Sequence, residues 1–521
     1  MRQRIGLVYV PGALPCFENF GNLPTDIIRE NGLVDQEPAS KVLDLLIIPG
    51  GSLVESQSIS EAIQKEITRM ADAGKFVLGI CSGFQILANR TDIGRLSSTP
   101  ILREGLGLLD VDFEPLICTD HVTASVVGKS FVTRNVKNAV TGFHCHTYGK
   151  ISAHKDAEPI LVSHIKRVNY RSKPQDLVSG YTNKECNVVG VLTHALLDEN
   201  QTIIQSILRS LDISSQDYQE IKKANSVLVQ KIKTEVGVSS GVFSQNRQMG
   251  STDTPVLLFT TATGSGSGKT FIVTGLAGAL KKRGVDVGLI KVGGDIRDIV
   301  PALYLIKEPI QTYSSIKVAN SGWTKLLEAV ELAEKSFDFL LIEGAMGPFT
   351  GFLNKNVARL ASTAEIAAAL GAPTILVVAC DKAGIEGAVV TGLNYVMMMK
   401  ALGIKVPGVI LNKVHTSYLT SEIKESIKRA FKNMDVQLLG VIPRVQSEGR
   451  GAIPEIEIKY DQFGSKAVET MEQSLDLDLL LKLAAPRTKK PIDYKAVLNK
   501  FQSLLENCKS LKDFNGETKT E

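Results

Sequence analysis

A cysteine lies midway between two glycines in the run Gly79-Ile80-Cys81-Ser82-Gly83. The flanking pattern predicts a buried strand before it, at Phe76–Ile80, and a helix after it, at Phe84–Asn89. Such glycines permit the sharp strand-to-helix turn that exposes a nucleophile, and the helix N-terminus favours a thiolate there. An isolated cysteine is more often a small buried apolar residue, but this arrangement predicts that Cys81 is a nucleophile.

A thiol nucleophile needs a base and hydrogen-bond donors for the oxyanion that it creates. His194 follows an apolar strand late in the same half of the chain and is the candidate base. The amide of Ser82 is one predicted donor, and Gly51, at the end of a neighbouring strand, is the second. The acid that would orient the base is left unassigned, with Asp198 and Glu199 as weak candidates.

Two further histidines occur in the run His144-Cys145-His146. Imidazole and thiolate groups are common zinc ligands. A structural zinc site combines ligands from separate segments, whereas this run stands alone. We therefore interpret it as non-metallic.

A glycine-rich segment, Thr261–Thr270, stands between a predicted strand, Val256–Thr260, and a predicted helix, Lys269–Arg283. Successive amides of such a loop wrap around phosphates, while a lysine adds a cation and a threonine ligates Mg²⁺. A flexible linker is the alternative, but it would not be flanked by a strand and a helix. The residues predicted to bind the nucleotide are Gly264, Ser265, Gly266, Ser267, Gly268, Lys269 and Thr270.

Acidic residues follow two of the predicted strands in this half of the chain. Glu343 ends the apolar strand Phe339–Ile342, a position typical of a metal-binding carboxylate in P-loop proteins. Asp295 and Asp298 lie on the loop after the strand Val287–Lys291. Ligands of open α/β sheets bind at the carboxyl ends of strands, so these acids are candidate metal ligands rather than solvated surface groups.

Strand and helix signals alternate through both halves of the chain, which predicts two doubly wound α/β domains. The first carries the predicted thiol nucleophile and the second is of the P-loop NTPase type. A polar helix over Gln216–Glu235 and a glycine- and serine-containing stretch, Val236–Pro255, separate the two. The predicted boundaries are 1–212, 213–254 for the helix and linker, 255–484, and 485–521 for a C-terminal helix and charged tail.

The composition excludes several classes of protein. A net charge of +4 over 521 residues is too weak to indicate nucleic-acid binding. No apolar run approaches the length of about 20 residues that spans a bilayer, so no membrane partner is expected. Seven scattered cysteines do not form a disulfide framework, and a reducing cytoplasm is the expected location. The sequence is also compatible with a homodimer.

Residues from about 4 to 212 resemble a class I glutamine amidotransferase domain of the type found in cobyric acid synthase. The resemblance implies that Cys81 hydrolyses glutamine through a thioester, with His194 as its partner. Many such domains carry a glutamate two positions after the histidine, where this chain has Leu196. The matching segments are Asn19–Leu23, Leu45–Gly50, Gly79–Gln85, Gly142–His146 and Gly190–His194.

Residues from about 255 to 484 resemble the synthetase domain of cobyrinic acid a,c-diamide synthase, a relative of dethiobiotin synthetase. The matching segments are Gly266–Thr270, Lys291–Asp298, Glu343–Gly347, Gly408–Asn412, Gly440–Arg444 and Leu475–Leu480. The resemblance implies Mg-ATP at the P-loop and the nucleotide base near Asn412. It further implies that Asp295, Asp298 and Glu343 serve metal binding and activation of a substrate carboxylate.

Two departures from these families bear on the substrate. Thr350 stands where the synthetase family usually has an aspartate. The order of the domains is also inverted, because corrinoid amidases of this type carry the synthetase first.

Together the two resemblances predict an ATP-dependent carbon–nitrogen ligase with glutamine as amide donor. The predicted substrate is a carboxylate on a cobyrinic-acid-like tetrapyrrole, and the same chemistry on another carboxylate stays open. A ParA/MinD-like regulatory ATPase with a non-catalytic glutaminase module is the alternative from another class. Those ATPases place an extra lysine early in the P-loop, where this chain has Gly264.

Overall fold

The protein is described by a computed structural model that covers residues 3–10, 13, 17–51, 59–240, 255–353, 360–445, 459–487 and 494–507. These residues form two compact units. The first unit is drawn from Met1–Ser239, Gly294–Thr312 and Ser447–Lys466. The second is drawn from Ser240–Gly293, Tyr313–Gln446 and Ala467–Glu521.

The first unit is built around a nine-stranded sheet with a parallel and an antiparallel part. Its strand order is Val140–Phe143, His121–Val126, Ala157–Val168, Arg171–Asn183, Val188–Val191, Phe76–Ile80, Leu45–Ile48, Ile5–Val8 and Asp26–Ile28. The strands from Val188–Val191 onward run parallel, and the earlier pairs are antiparallel. The parallel strands read as continuous apolar runs because helices cover both faces of such a sheet.

The antiparallel part of this sheet differs from the purely parallel sheet that the sequence predicts. Its longest strands, Ala157–Val168 and Arg171–Asn183, carry many exposed polar side chains and therefore give no apolar run. A second sheet is also present, with strand order Lys150–Ala153, Val111–Glu114, Arg90–Asp92 and Leu102–Glu104. A short hairpin pairs Leu33–Val34 with Glu37–Pro38.

Helices of the first unit follow the predicted apolar periodicity. Glu61–Asp72 buries Ile63, Ile67 and Met70 on one face, and the side chain of Ser60 caps its first turn. The α-helices are Ala39–Val42, Glu61–Asp72, Ser82–Leu87, Leu196–Glu199, Gln201–Ser210, Ser215–Glu235 and Val300–Ile306, and the 3-10 turns are Phe20–Asn22 and Ile296–Ile299. The helix Tyr460–Ser474 is shared, because its residues up to Lys466 belong to the first unit and those from Ala467 onward to the second.

The second unit contains a seven-stranded sheet in which every pair of neighbours is parallel. Its order is Ser315–Ile316, Val287–Val292, Phe339–Glu343, Val256–Ala262, Thr374–Ala379, Gly408–Val414 and Gln437–Pro443. Its helices are Lys269–Lys282, Leu326–Glu334, Thr363–Leu370, Gly384–Ala401, Ser421–Lys432, Leu477–Leu483 and Tyr494–Asn507, with a 3-10 turn at Thr416–Tyr418. A further 3-10 turn is Thr312–Ser314.

The predicted fold class, two α/β domains, is confirmed by these two sheets and their helices. The four predicted residue ranges, for the two domains, the linker and the tail, stay predictions. Most of the predicted linker Val236–Pro255 and all of the tail Lys509–Glu521 lie outside the described residues. Among the residues that the structure covers, no helix combines the length and the apolar character needed to cross a membrane.

Candidate functional sites

Cys81 occupies the sharp turn that its flanking glycines predict. Its backbone lies at φ 53° and ψ −108°, between the strand Phe76–Ile80 and the helix Ser82–Leu87. This region is costly for a residue with a side chain, and such strain is common at reactive sites. A Cβ on Gly83 would stand 2.1 Å from the carbonyl oxygen of Ile48, so only glycine fits beside the turn.

His194 is held beside Cys81 by backbone pairing and by aromatic rings. Its amide and carbonyl groups pair with those of Phe143 at 2.8 and 3.1 Å. The rings of Phe17 and Phe143 stack on the imidazole, with centroids 4.9 and 5.1 Å away. A Cβ at Gly50 would stand 3.2 Å from both the Cβ of Cys81 and the Nε2 of His194. The predicted cysteine and histidine therefore do come together, on either side of a glycine that sequence reasoning did not single out.

Glu18 supplies the acid that the sequence left unassigned. Its Oε1 lies 3.0 Å from Nδ1 of His194, and its Oε2 accepts a hydrogen bond from the amide of Ala195 at 3.1 Å. Both side chains are completely buried. A carboxylate that accepts from Nδ1 leaves Nε2 facing the thiol as a proton acceptor.

Neither weak candidate for this role contacts His194. Asp198 accepts hydrogen bonds from the amides of Asn19 and Gly21, both at 2.7 Å, and so holds the loop that carries Glu18. Glu199 lies 3.1 Å from His121. Sequence reasoning searched for the acid after the histidine, whereas it lies in the loop after the first strand. The available signal was its position directly before Asn19–Leu23, one of the segments that carry the family resemblance.

Burial sets the charges of the resting site. It raises the pKa of the Cys81 thiol to about 12, although the amide of Ser82 stabilises the thiolate. It lowers the pKa of His194 to about 3, and the nearby His146 acts in the same direction. Burial, with Asp198 nearby, raises the pKa of Glu18 well above its usual range. The thiol is therefore protonated at rest, and a neutral imidazole is ready to remove its proton.

The oxyanion donors are only partly described. The amide of Ser82 acts on the sulfur of Cys81, as the turn predicts. Gly51 lies against the first strand, where an added Cβ would meet Val10 at 3.2 Å. The roles of Ser82 and Gly51 as oxyanion donors stay predictions.

Unpartnered polar atoms mark this site as a place for a polar ligand. Among the described residues, Ser82 Oγ, Gln85 Oε1 and His194 Nε2 are buried without a hydrogen-bond partner. Buried polar atoms of this kind are costly and call for a partner. Gln85 also lines a cavity of about 390 Å³ whose wall includes Arg103 and Glu104.

The run His144-Cys145-His146 is joined by Cys118, which brings three potential ligand atoms within 4.8 Å of one another. Hydrogen bonds nevertheless account for all four ring nitrogens. His146 Nδ1 contacts the carbonyl oxygen of Leu116 at 3.1 Å, and its Nε2 contacts His144 Nδ1 at 3.1 Å. His144 Nε2 contacts the hydroxyls of Ser163 and Thr193. The contacts form a consistent chain between neutral imidazoles, and burial lowers the pKa of both.

The predicted P-loop has the backbone of a phosphate-binding turn. Gly266 and Gly268 lie at φ 72° and 85°, values that favour glycine. Lys269 is buried, and its Nζ contacts the carbonyl oxygens of Gly264 and Met346 at 3.4 and 2.9 Å. The amide of Asn412 donates to the carbonyl oxygen of Ser267 at 2.8 Å, which places Asn412 against the loop. A cavity of about 220 Å³ is lined by Thr263–Ser267 and by Val378, Ala379, Asp381, Lys382 and Ala383, among others.

Two of the predicted metal ligands meet behind this loop. Thr270 Oγ1 lies 3.1 Å from Glu343 Oε1. Lys291, also buried, lies 2.8 Å from the same carboxylate oxygen and offsets its charge. Hydroxyl and carboxylate oxygens are the ligands that Mg²⁺ prefers, so this pair fits the ion.

Asp295 and Asp298 belong to the other unit. They lie in Gly294–Thr312, which packs with the residues that hold Cys81. Arg297 donates to both oxygens of Asp295, at 2.8 and 2.7 Å. Asp298 lies in the 3-10 turn Ile296–Ile299. A metal-binding role for Asp295 would require it to exchange these partners, and the assigned roles of both acids stay predictions.

A buried cysteine–histidine–glutamate site in one α/β unit and a P-loop in another define a two-domain chain that pairs thiol chemistry with nucleotide binding. Residues 7–202 match the family of CobB/CobQ-like glutamine amidotransferase domains, and residues 258–451 match the CobQ/CobB/MinD/ParA nucleotide binding domain. The two matches follow one another along the chain, with the amidotransferase match first. The resemblance predicted from the sequence is confirmed.

Curated relatives are similar to this chain over part of their length. A cobyrinate a,c-diamide synthase of Magnetococcus marinus is 33% identical over 44% of this chain and 48% of its own length. A hydrogenobyrinate a,c-diamide synthase of Brucella anthropi is 28% identical over 42% of this chain and 49% of its own length. A cobyric acid synthase of a Thermoanaerobacter species is 30% identical over 34% of this chain and 38% of its own length. The chain thus spans about half the length, or less, of these relatives.

Solved structures also resemble the two domains. One is a glutamine amido transferase of Methylobacillus flagellatus, 12% identical, with a TM-score of 0.26 over 45% of this chain and 95% of that chain. Another is the MinD cell division protein of Aquifex aeolicus, 15% identical, with a TM-score of 0.27 over 48% of this chain and 96% of that chain. Likenesses at these scores have no bearing on function.

The position of Glu18 generates a testable prediction. Glu18→Gln keeps the size of the side chain but places a neutral amide beside Nδ1 of His194 instead of a carboxyl group that can balance the charge of an imidazolium, so glutamine hydrolysis should fall about 10²- to 10⁴-fold. The rate of glutamate release and the thermal midpoint of unfolding would be measured together. Glu199→Gln, on the acid beside His121, is the matched control and should stay within about twofold of the parent. Retention of the parent rate by Glu18→Gln would remove Glu18 from the site.

The buried histidines predict a loss of stability in mild acid. The pKa is lowered to about 4 for His146 and about 3 for His194, and burial also lowers that of His144. Below about pH 6.5 the unfolded chain therefore binds more protons, and each histidine lowers the free energy of unfolding by up to about 1.4 kcal/mol per pH unit. The raised pKa of Glu18 acts in the opposite direction, because the folded chain keeps a proton on this side chain that the unfolded chain releases.

Urea unfolding of the whole protein between pH 7.5 and 5 would measure this effect. His146→Gln should flatten the dependence on pH, because one of the three lowered pKa values is removed. His164→Gln, on a histidine whose side chain is 59% exposed, should leave it unchanged. Equal slopes for all three proteins would contradict the prediction.

Proposed function

We propose that the protein is a glutamine-dependent, ATP-dependent ligase that converts carboxylates into amides, with a cobyrinic-acid-like tetrapyrrole as substrate. The observation that carries the proposal is the buried contact of Glu18 with His194 beside Cys81, because it equips a thiol for acyl transfer. The P-loop in the second unit supplies the other requirement, a site for a nucleoside triphosphate.

Glutamine hydrolysis follows from the geometry of the first unit. His194 Nε2 removes the proton of Cys81, and the sulfur attacks the amide carbon of glutamine. The imidazolium then protonates the amide nitrogen, which leaves as ammonia. Water releases glutamate from the thioester by the same proton transfers in reverse. Glu18 holds the imidazole in the required tautomer throughout.

Activation of the acid is assigned to the second unit. The P-loop amides and Lys269 would bind the phosphates of ATP, and Thr270 with Glu343 would hold Mg²⁺. Bound Mg²⁺ would neutralise charge on the transferred phosphate. The substrate carboxylate attacks that phosphate, ADP leaves, and the acyl phosphate reacts with ammonia to give the amide and inorganic phosphate. Lys291, paired with Glu343, limits the negative charge in these surroundings.

The choice of acid rests on the names of the relatives, which are synthases of cobyrinate a,c-diamide, of hydrogenobyrinate a,c-diamide or of cobyric acid. Thr350 replaces the aspartate that the synthetase family usually carries, and this favours a test of other acids beside the tetrapyrrole. A reducing cytoplasm is the proposed location, since all the cysteines among the described residues are free thiols. A homodimer stays a prediction.

Separate variants of the two sites test the proposal. Cys81→Ala should abolish amidation with glutamine but retain it with ammonium salts, because ammonia then bypasses the thiol. Lys269→Ala should abolish both, because the acid is no longer activated. Cys186→Ala, on a partly exposed cysteine, is the matched control and should behave as the parent.

Amide formation, glutamate release and ADP release would be measured with cobyrinic acid, hydrogenobyrinic acid and a panel of other carboxylic acids. Amidation of an acid other than a tetrapyrrole alone would keep the reaction class and reject the substrate. ATP hydrolysis without amidation of any acid, unaffected by Cys81→Ala, would reject the ligase in favour of a regulatory ATPase.

A further inference from the structure

Arg297 forms a partly buried polar cluster in the first unit that the proposed mechanism does not use. Its guanidinium group donates to Thr147 Oγ1 at 2.7 Å, to the hydroxyl of Tyr170, and to both oxygens of Asp295. The hydroxyl of Tyr170 in turn lies 3.2 Å from Asp295. The side chain of Arg297 is only 14% exposed, so its charge acts in surroundings of low polarity.

The backbone next to Arg297 is fixed as firmly as its side chain. The hydroxyl of Thr119 donates to the carbonyl oxygen of Gly294. The guanidinium of Arg167, itself in a buried ion pair with Asp120, packs so closely that a Cβ at Gly294 would stand 1.9 Å from it. Glycine is therefore required there, and Arg297 is held in one position.

This cluster reaches the segment that faces the reactive sulfur. Cys81 Sγ lies 3.9 Å from the carbonyl oxygen of Cys145, and Thr147, the partner of Arg297, follows two residues later. Arg297 also acts through its charge, since it lowers the pKa of both cysteine thiols against the larger effect of burial. Asp295 acts in the opposite direction on Cys145.

We infer that Arg297 is a positioning residue for glutamine hydrolysis, and that the balance of charge between Arg297 and Asp295 sets the pH at which the thiol reacts. The inference rests on the proposed glutaminase activity. The guanidinium anchors the segment that contains Cys145, and its net field, reduced by Asp295, stabilises negative charge on the sulfur. The other titratable groups facing Cys81 are Glu18, His194 and Cys145.

Charge-changing variants with opposite signs separate this role from simple structural support. Asp295→Asn leaves Arg297 uncompensated, which favours both the thiolate and the neutral imidazole. Arg297→Gln leaves Asp295 uncompensated and disfavours both. We expect the rising limb of the kcat/KM profile to shift to lower pH by about one unit in Asp295→Asn. In Arg297→Gln we expect it to shift to higher pH by about one unit. The double variant should return close to the parent limb.

Two further variants keep the test decisive. Arg297→Lys retains the charge without the fork of donors, so the limb should stay in place while kcat falls. Thr147→Val removes the acceptor and leaves all charges, with the same expected result. The assay is glutamate release from glutamine by the full chain with no acid substrate added, so a role of Asp295 in acid activation does not enter.

The outcomes are distinguishable. Limbs that move in opposite directions in Asp295→Asn and Arg297→Gln support the inference. Limbs that stay in place, or move the same way, in variants that unfold at the parent temperature overturn it and leave the proposed function standing. Failure of the parent protein to hydrolyse glutamine at any pH would overturn both.

Discussion

A single hydrogen bond between two completely buried groups, Glu18 and His194, constrains the rest of the first unit. A buried imidazole can hold its proton on either nitrogen, and only the acceptor beside Nδ1 directs Nε2 towards the thiol. Because both groups are costly to bury, everything around them must be fixed in position. The stacking of two phenylalanine rings, the pairing with Phe143 and the closeness of Gly50 all serve that requirement.

The loop that carries Glu18 is held in place by a second acid. Asp198 lies in the short helix Leu196–Glu199 that follows His194, and it accepts two backbone hydrogen bonds from that loop. Base, orienting acid and loop are therefore linked through a short stretch of chain on each side. Leu196, two positions after the histidine, is buried and apolar, and the carboxylate comes instead from the loop after the first strand.

The sequence predicted those parts of the sites that depend on neighbouring residues. Cys81 between its glycines and the loop before Lys269 could be found because strand, turn and helix follow one another along the chain. Glu18 could not, since it is 176 residues away from His194 and no local pattern links them. The antiparallel strands of the first sheet were missed for another reason: their exposed faces interrupt the apolar signal.

The segment Gly294–Thr312 shows the limit of reasoning from strand ends. Asp295 follows a strand of the second unit, and the general behaviour of open α/β sheets assigns it to a ligand there. The chain instead leaves that sheet, and Asp295 becomes the counter-ion of Arg297 among residues of the first unit. Two buried charges of opposite sign are far cheaper to place in this interior than one. With Asp295 so engaged, the acid that meets Thr270 behind the P-loop is Glu343, and its charge is already offset by Lys291. The charge behind the loop is therefore close to balanced, and the negative charge of phosphates is left to Lys269, to the other lysines at the loop, Lys382 and Lys413, and to a cation brought with the nucleotide.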